Sequence, residues 1–270
     1  MKKLFLAVTL SYVSILWAQT STRFDYKNPS NSNEPSIQLE AYVYEPSNPN
    51  GKTILFSHGS TGGKKELISY STKFPTIASE VTKQGYRLVV YMRKGRGKSE
   101  GVFVEETGKC DRGSLDWEVA DAYPQINQVV DQIRDRYKAD KVILMGHSRG
   151  GFLSSLYAAN NPSKVIAAVN LAGVWSAFCE SRNNGYSHDA LKESATKFKN
   201  QYWVYFENDS YFSEKRFNDP KYIWISETAK NNGLIVGIYP DAGEADGHAT
   251  AYKRPDLWSG DVFKWLNQLK

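Results

Sequence analysis

Ser148 lies in the run VILMGHSRGG, residues 142–151, where an apolar stretch breaks into Gly146-His147-Ser148-Arg149-Gly150 and then continues as GFLSSLYAAN. A serine hydroxyl is a poor nucleophile at neutral pH. To react it must stand clear of its surroundings beside a base and backbone N–H donors, and a tight strand-to-helix turn of the form G-x-S-x-G provides that setting. Small residues at Gly146 and Gly150 fit a turn with no room for side chains. The competing role for Ser148 in a glycine-rich turn is merely to cap the following helix.

A nucleophilic serine needs a base, and the chain offers four histidines: His58, His147, His188 and His248. His58 and His147 sit inside tight glycine turns, and His188 lies in a polar excursion with no strand before it. His248, in GEADGHAT, follows the last predicted strand in a loop from which an imidazole can swing over the elbow and take the serine proton. An acid must then hold the imidazole in one tautomer and stabilise its protonated form. Carboxylates crowd both late loops. Asp209, after the strand QYWVYF, fits best, with Glu207 as a replacement and Asp246 placed too near His248 in sequence to reach the far ring nitrogen easily. The order Ser, Asp, His is the one expected for a triad on a sheet of this kind.

The negative oxygen of a tetrahedral intermediate needs donors. One should be the backbone N–H of Arg149, directly after the nucleophile. The other should come from HGSTGG after an earlier strand, with Ser60 preferred and Thr61 next. The same loop does not match a phosphate cradle, since GxxxxGK[ST] is absent. No cofactor or metal ion is required by this chemistry.

The elements that must position these groups alternate. Residues 37–44, 52–57, 86–92, 142–145, 165–171, 201–206 and 234–239 read as strands, and 74–84, 117–138, the segment after Ser148, 219–231 and 258–269 read as helices. Strands separated by helices imply an α/β fold, a mostly parallel sheet covered by helices on both faces. Ligands in such a sheet bind at the carboxyl ends of the strands, where Ser148, Asp209 and His248 all fall. The insertion between Leu171 and Gln201 is too short for a large lid, so a cap is small or absent. Trp175, Phe178 and Tyr186 within it, with Tyr211 and Phe212, either line an acyl or aromatic pocket or simply pack a connecting loop.

Of the 270 residues, 41% are apolar and 23% charged, an ordinary globular composition. Residues 1–18 read as a signal peptide: Lys2 and Lys3 precede an apolar run from Leu4 to Trp17, too short for a comfortable membrane span, with Ala18 before the cut. Residues 19–36 form a polar lead-in, and residues 37–270 the catalytic domain. Cleavage lowers the formal charge of +5 by two lysines, so nothing points to nucleic acid. The densest basic cluster, Arg93-Lys94-Gly95-Arg96-Gly97-Lys98, reads as a solvated loop. Export to a secreted or periplasmic compartment makes a disulfide between Cys110 and Cys179 the natural pairing of the two cysteines. The oligomeric state is open.

Taken together, SHGSTGG, RKGRGKSEG, GHSRGG, ENDSYF and DGH, in this order over residues 37–269, resemble the α/β-hydrolase superfamily, and most of all its compact dienelactone-hydrolase-like and esterase branch. The resemblance implies a serine hydrolase acting on a small ester, with Ser148 as nucleophile, Asp209 as acid and His248 as base. Dienelactone hydrolases proper carry a cysteine nucleophile, so their particular substrate is not implied. Peptidase, acyltransferase and non-catalytic binding roles are the alternatives on this fold.

Overall fold

The computed structural model describes residues 18–60, 68–105, 112–175, 184–211 and 221–269. Eight strands form one sheet: β1 (Ala18–Tyr26), β2 (Ile37–Glu45), β3 (Thr53–Ser57), β4 (Arg87–Tyr91), β5 (Val142–His147), β6 (Val165–Leu171), β7 (Gln201–Phe206) and β8 (Ile235–Tyr239). Their spatial order is β1-β2-β4-β3-β5-β6-β7-β8. All pairings from β4 to β8 are parallel, while β2 runs antiparallel to both β1 and β4. Every residue of β3, β5 and β7 is buried, the pattern of central strands covered on both faces.

The helices are α1 (Pro75–Lys83), α2 (Arg112–Tyr137), α3 (Arg149–Asn160), α4 (Asn184–Lys197), α5 (Lys221–Asn232), α6 (Gly247–Lys253) and α7 (Ser259–Leu266). They pack in two groups, α1 with α6 and the short 3-10 turn Pro255–Leu257 that leads into α7, and α2 with α3, α4 and α5. Helix α4 was not foreseen from the sequence. It takes up about half of the short excursion between β6 and β7, and α2 begins at Arg112, several residues earlier than its apolar periodicity suggests.

The polar lead-in is partly sheet. β1 pairs with β2 along its whole length, from Ala18 opposite Glu45 to Tyr26 opposite Ile37. Only Phe24 and Tyr26, two residues apart and so on one face, are buried. Its outer edge is covered by side chains. Gln132 of α2 accepts from the Asp25 N–H at 2.9 Å and donates to the Asp25 carbonyl at 2.6 Å, and Gln128, one turn earlier, does the same for Lys27 at 2.9 and 2.7 Å. Two glutamines thus stand in for a neighbouring strand at the carboxyl end of β1 and just past it, where the edge would otherwise be open to pairing.

The placement of β3 matters most for function. The chain leaves β3 on one side through α1 to β4 and returns through α2 to β5 on the other side. A crevice therefore opens between the carboxyl ends of β3 and β5, where Ser57 and Gly146 are paired neighbours. Among the described residues no helix is long and apolar enough to cross a membrane. Of the expected signal peptide, residues 1–18, residues 1–17 lie outside the described residues, and Ala18 is the first residue of β1.

Candidate active site

Ser148 occupies the sharp turn between β5 and α3 with φ 55° and ψ −122°. That backbone conformation costs a side-chain-bearing residue on the order of 1–3 kcal/mol, so the surroundings must impose it. Close packing of glycines does so: a Cβ at Gly150 would collide with the Ser57 carbonyl, and one at Gly146 with the Gly150 carbonyl. Hydrogen bonds fix the rest. The Ser148 N–H donates to the Leu171 carbonyl at 2.9 Å, and its own carbonyl accepts from Phe152 at 3.0 Å and Val174 at 3.2 Å. The hydroxyl makes no capping bond to α3, so the simple helix-cap role does not describe it. The N–H of Arg149 is the first of the helix, at the positive end of the helix dipole.

His248 lies at the start of helix α6, not in the flexible loop expected from its glycine- and acid-rich neighbourhood. Asp246 explains the difference. Its carboxylate caps α6 by accepting from the His248 N–H at 2.9 Å, and it also accepts from the N–H and hydroxyl of Ser210 at 3.0 and 2.8 Å. Burial by itself would raise this carboxyl, but the N–H groups of Ser210 and His248 and the Ser210 hydroxyl hold it below the usual carboxylate range. Asp246 thereby ties the loop after β7 to the helix that carries His248. Gly247 sits against that loop so closely that a Cβ would overlap Asn208.

Within this clamp the His248 Nδ1–H donates to Asp209 Oδ2 at 3.2 Å, and the other Asp209 oxygen accepts from the Tyr211 N–H at 2.9 Å. Asp209 is fully buried, whereas Glu207 is exposed. The Tyr211 ring packs on the imidazole with centroids 4.4 Å apart. From the other side His147 Nε2–H donates to the His248 carbonyl at 2.7 Å. Burial, and next the nearby His248, push the His147 imidazole down to about 3, so it stays neutral and its tautomer is fixed by that carbonyl.

The loop after β3 meets the elbow directly. A Cβ on Gly59 would stand 2.9 Å from Ser148 Cβ, so this backbone approaches the serine as only glycine permits, with Ser60 next in the chain. Thr61, the second choice for a donor, lies outside the described residues.

The basic stretch after β4 is not a solvated loop. Arg93 and Arg96 are at most 1% exposed, and with Arg149, Glu105, Glu118 and Trp175 they form a buried charged cluster behind the elbow. Arg93 grips Glu105 with Nε and Nη2, and Arg149 Nη1 bonds Glu118 Oε2 at 2.8 Å. The Trp175 Nε1–H donates to the same Glu118 oxygen at 3.1 Å. Burial alone would raise the Glu105 carboxyl, but the guanidinium of Arg93, then those of Arg149 and Arg96, hold it well below the carboxylate range. Trp175 therefore packs in this cluster and does not line an open pocket. Tyr186 stacks on Phe152 at 6.0 Å. Phe178 and Phe212, and both cysteines of the expected Cys110–Cys179 bridge, lie outside the described residues. The sequence carried one overlooked signal: Glu118, three residues after Leu115 and four before Ala122, is a carboxylate on the core face of α2.

With this geometry in view, the chain compares with known proteins as follows. Residues 52–217, more than half of the chain, match the family model described as alpha/beta hydrolase fold, and the protein belongs to that family. A protein named as a probable proline iminopeptidase of Leptolyngbya boryana is 25% identical over 143 residues. That match takes in 52% of this chain and only 37% of the relative, so the chain spans well under two thirds of the curated protein it resembles. Among solved structures, an esterase of Pyrococcus furiosus superposes with a TM-score of 0.61 at 14% identity, covering 94% of this chain and 91% of the other. A protein assigned as a dienelactone hydrolase, from Klebsiella pneumoniae, gives 0.56 at 16% identity over 93% and 99%. These structural likenesses establish the fold. The protein is a hydrolase-family member with esterase-like neighbours.

Proposed function

We propose that this protein is a serine hydrolase that cleaves a carboxylic ester of a small molecule through an acyl-enzyme, with Ser148 as nucleophile, His248 as base and Asp209 as acid. The observation that carries this reading is the His248 Nδ1 to Asp209 Oδ2 contact of 3.2 Å, held on a rigid helix end beside a strained serine turn. In this scheme Ser148 Oγ attacks the ester carbonyl carbon while His248 Nε2 takes the hydroxyl proton. The new oxyanion accepts from the N–H groups of Arg149 and Ser60. Collapse of the intermediate expels the alcohol, which leaves with the proton from His248. Water then attacks the acyl-serine by the same route in reverse, releasing the acid and restoring Ser148.

One observation favours a second reading. The relative from Leptolyngbya boryana carries a peptidase name, and the same triad would cleave an aminoacyl amide. A panel of p-nitrophenyl acyl esters beside prolyl and other aminoacyl p-nitroanilides separates the two. The ester reading expects the esters to be turned over with kcat/KM at least about 100-fold above any anilide, a difference of roughly 3 kcal/mol in transition-state stabilisation. Prolyl anilides as the better substrates would replace it with the peptidase. We also propose that residues 1–18 direct export and are removed, which places the enzyme in an extracytoplasmic compartment.

A further inference from the structure

We infer that Arg93, with its buried partners Glu105, Arg149 and Glu118, positions both oxyanion donors, so that the charged cluster behind the elbow is part of what sets the rate of ester cleavage. The inference rests on the hydrolase reading above. It extends that reading to residues that touch no substrate.

The geometry converges on two short pieces of backbone. On the β3 side Arg93 holds the turn at three points. Its main-chain N–H donates to His58 Nε2 at 3.0 Å, its Nη1 to the His58 carbonyl at 2.6 Å and its Nη2 to the Gly59 carbonyl at 3.5 Å. A backbone N–H can only donate, so His58 Nε2 carries the lone pair and its Nδ1 carries the hydrogen. That Nδ1–H donates to the Gly59 carbonyl at 2.7 Å. The Gly59 carbonyl is thus drawn toward Arg93 and His58 from two sides. In a planar trans peptide the following N–H is antiparallel to the carbonyl, so the Ser60 N–H is aimed away from the charged cluster.

On the β5 side the donor is the Arg149 N–H, and the side chain of the same residue is anchored in the same cluster. Arg149 Nη1 bonds Glu118 at 2.8 Å and lies 3.6 Å from Glu105 Oε2, the carboxylate that Arg93 grips. The Arg149 and Arg93 guanidiniums both lie over the Trp175 ring, at 5.0 and 5.7 Å from its centroid. Glu105 is therefore the bridge between the two donor-bearing segments, which come from different strands and have no covalent reason to keep a fixed spacing. An oxyanion hole is effective only if its donors are fixed before charge develops, and misplacement by about 1 Å can cost on the order of 100-fold in rate.

The test compares wild type with Arg93→Lys, which keeps the charge but loses the fork, and Glu105→Gln. Glu118→Gln is a gentler variant, since its amide oxygen can still accept from Trp175 and Arg149. Arg87→Gln is the control: Arg87 starts the strand that Arg93 follows, and it pairs with the half-exposed Glu45 at the far end of the sheet from the site. Each is measured with p-nitrophenyl butyrate for kcat and KM, with an alkyl trifluoromethyl ketone whose serine adduct places an oxyanion in the hole, and by thermal melting. The inference expects kcat to fall roughly 10- to 100-fold in Arg93→Lys and Glu105→Gln with KM within about threefold, and the ketone Ki to rise by a similar factor. Glu118→Gln should shift both in the same direction by a smaller factor, and Arg87→Gln should move neither. A merely structural cluster would lower the melting temperature and leave the ketone Ki of the folded protein alone. Cooperatively folded Arg93→Lys or, should that variant not fold, Glu118→Gln with kcat and Ki both unchanged overturns the inference while the active wild type upholds the hydrolase reading. A wild type that turns over no ester and binds no ketone overturns both.

Discussion

Replacing Asp246 separates a positioning carboxylate from a catalytic one. Asp246 accepts three hydrogen bonds, from the His248 N–H that it caps and from the N–H and hydroxyl of Ser210. Loss of an N-cap costs about 1 kcal/mol, and loss of two further bonds to a charged acceptor adds roughly 1 kcal/mol each, so Asp246→Ala should lose about 3 kcal/mol. For a domain of this size that is a fall of roughly 6–12 °C in melting temperature. Asp246→Asn retains an acceptor oxygen for the cap and should lose about 1 kcal/mol. The wild-type carboxyl is held below its ordinary value, so its contribution is complete above the unfolded value and is lost as pH falls through the folded one. The melting difference between wild type and Asp246→Ala should accordingly be constant from about pH 5 to 8 and shrink below about pH 4. Activity discriminates further. Asp246→Asn should keep kcat within about tenfold of wild type, whereas Asp209→Asn should lose on the order of 10⁴, the cost of fixing the imidazole in the wrong tautomer. If Asp246→Asn is as inactive as Asp209→Asn, the division of labour between these carboxylates is wrong.

Other outcomes follow from single contacts. His147→Phe keeps a ring but removes the donor to the His248 carbonyl; kcat should drop on the order of tenfold. The acidic limb of its pH–rate profile should not move, because burial and next the nearby His248 push the His147 imidazole down to about 3 and keep it neutral; a shifted limb would show that it exchanges protons in turnover. Gly150→Ala drives a methyl into the Ser57 carbonyl and should destabilise by more than about 3 kcal/mol or abolish soluble folding, and a wild-type melting curve would contradict the packing at the elbow. Exported protein should begin near Gln19 and resist alkylation at Cys110 and Cys179. That bridge would close a loop of about seventy residues, giving on the order of 4 kcal/mol. Intact mass showing two alkylated cysteines would refute the bridge, and a retained Met1 would refute cleavage.

The parts of the fold written in short-range pattern were legible. Buried strands such as KTILFS and VILM read directly from continuous apolar runs, and the elbow read from its glycines because only a turn without side chains packs that way. The pairing of His248 with Asp209 was reachable because strand ends in a doubly wound sheet gather on one side. What escaped depended on partners distant in sequence. β1 is polar and carries only two buried residues, and the carboxyl end of its edge is held by Gln128 and Gln132 about a hundred residues away. Arg93 and Arg96 look solvated in a local window of lysines and glycines, and only the approach of Glu105, Glu118 and Trp175 gives them an interior. The exception is local: His248 sits on a helix because Asp246, two residues earlier, caps it, and a carboxylate at that position also has the chemistry of a triad acid.

The central claim is that Ser148 is the nucleophile, and covalent labelling reads it most directly. Purified protein treated with paraoxon should gain one diethylphosphoryl group, located by peptide mass spectrometry on Ser148, with ester hydrolysis lost in proportion to labelling. Ser148→Ala should take no label and lose more than about 10³-fold of kcat for p-nitrophenyl butyrate, while keeping the wild-type circular dichroism. A label on any other residue, or a Ser148→Ala protein that still turns over the ester at the wild-type rate, would contradict the account.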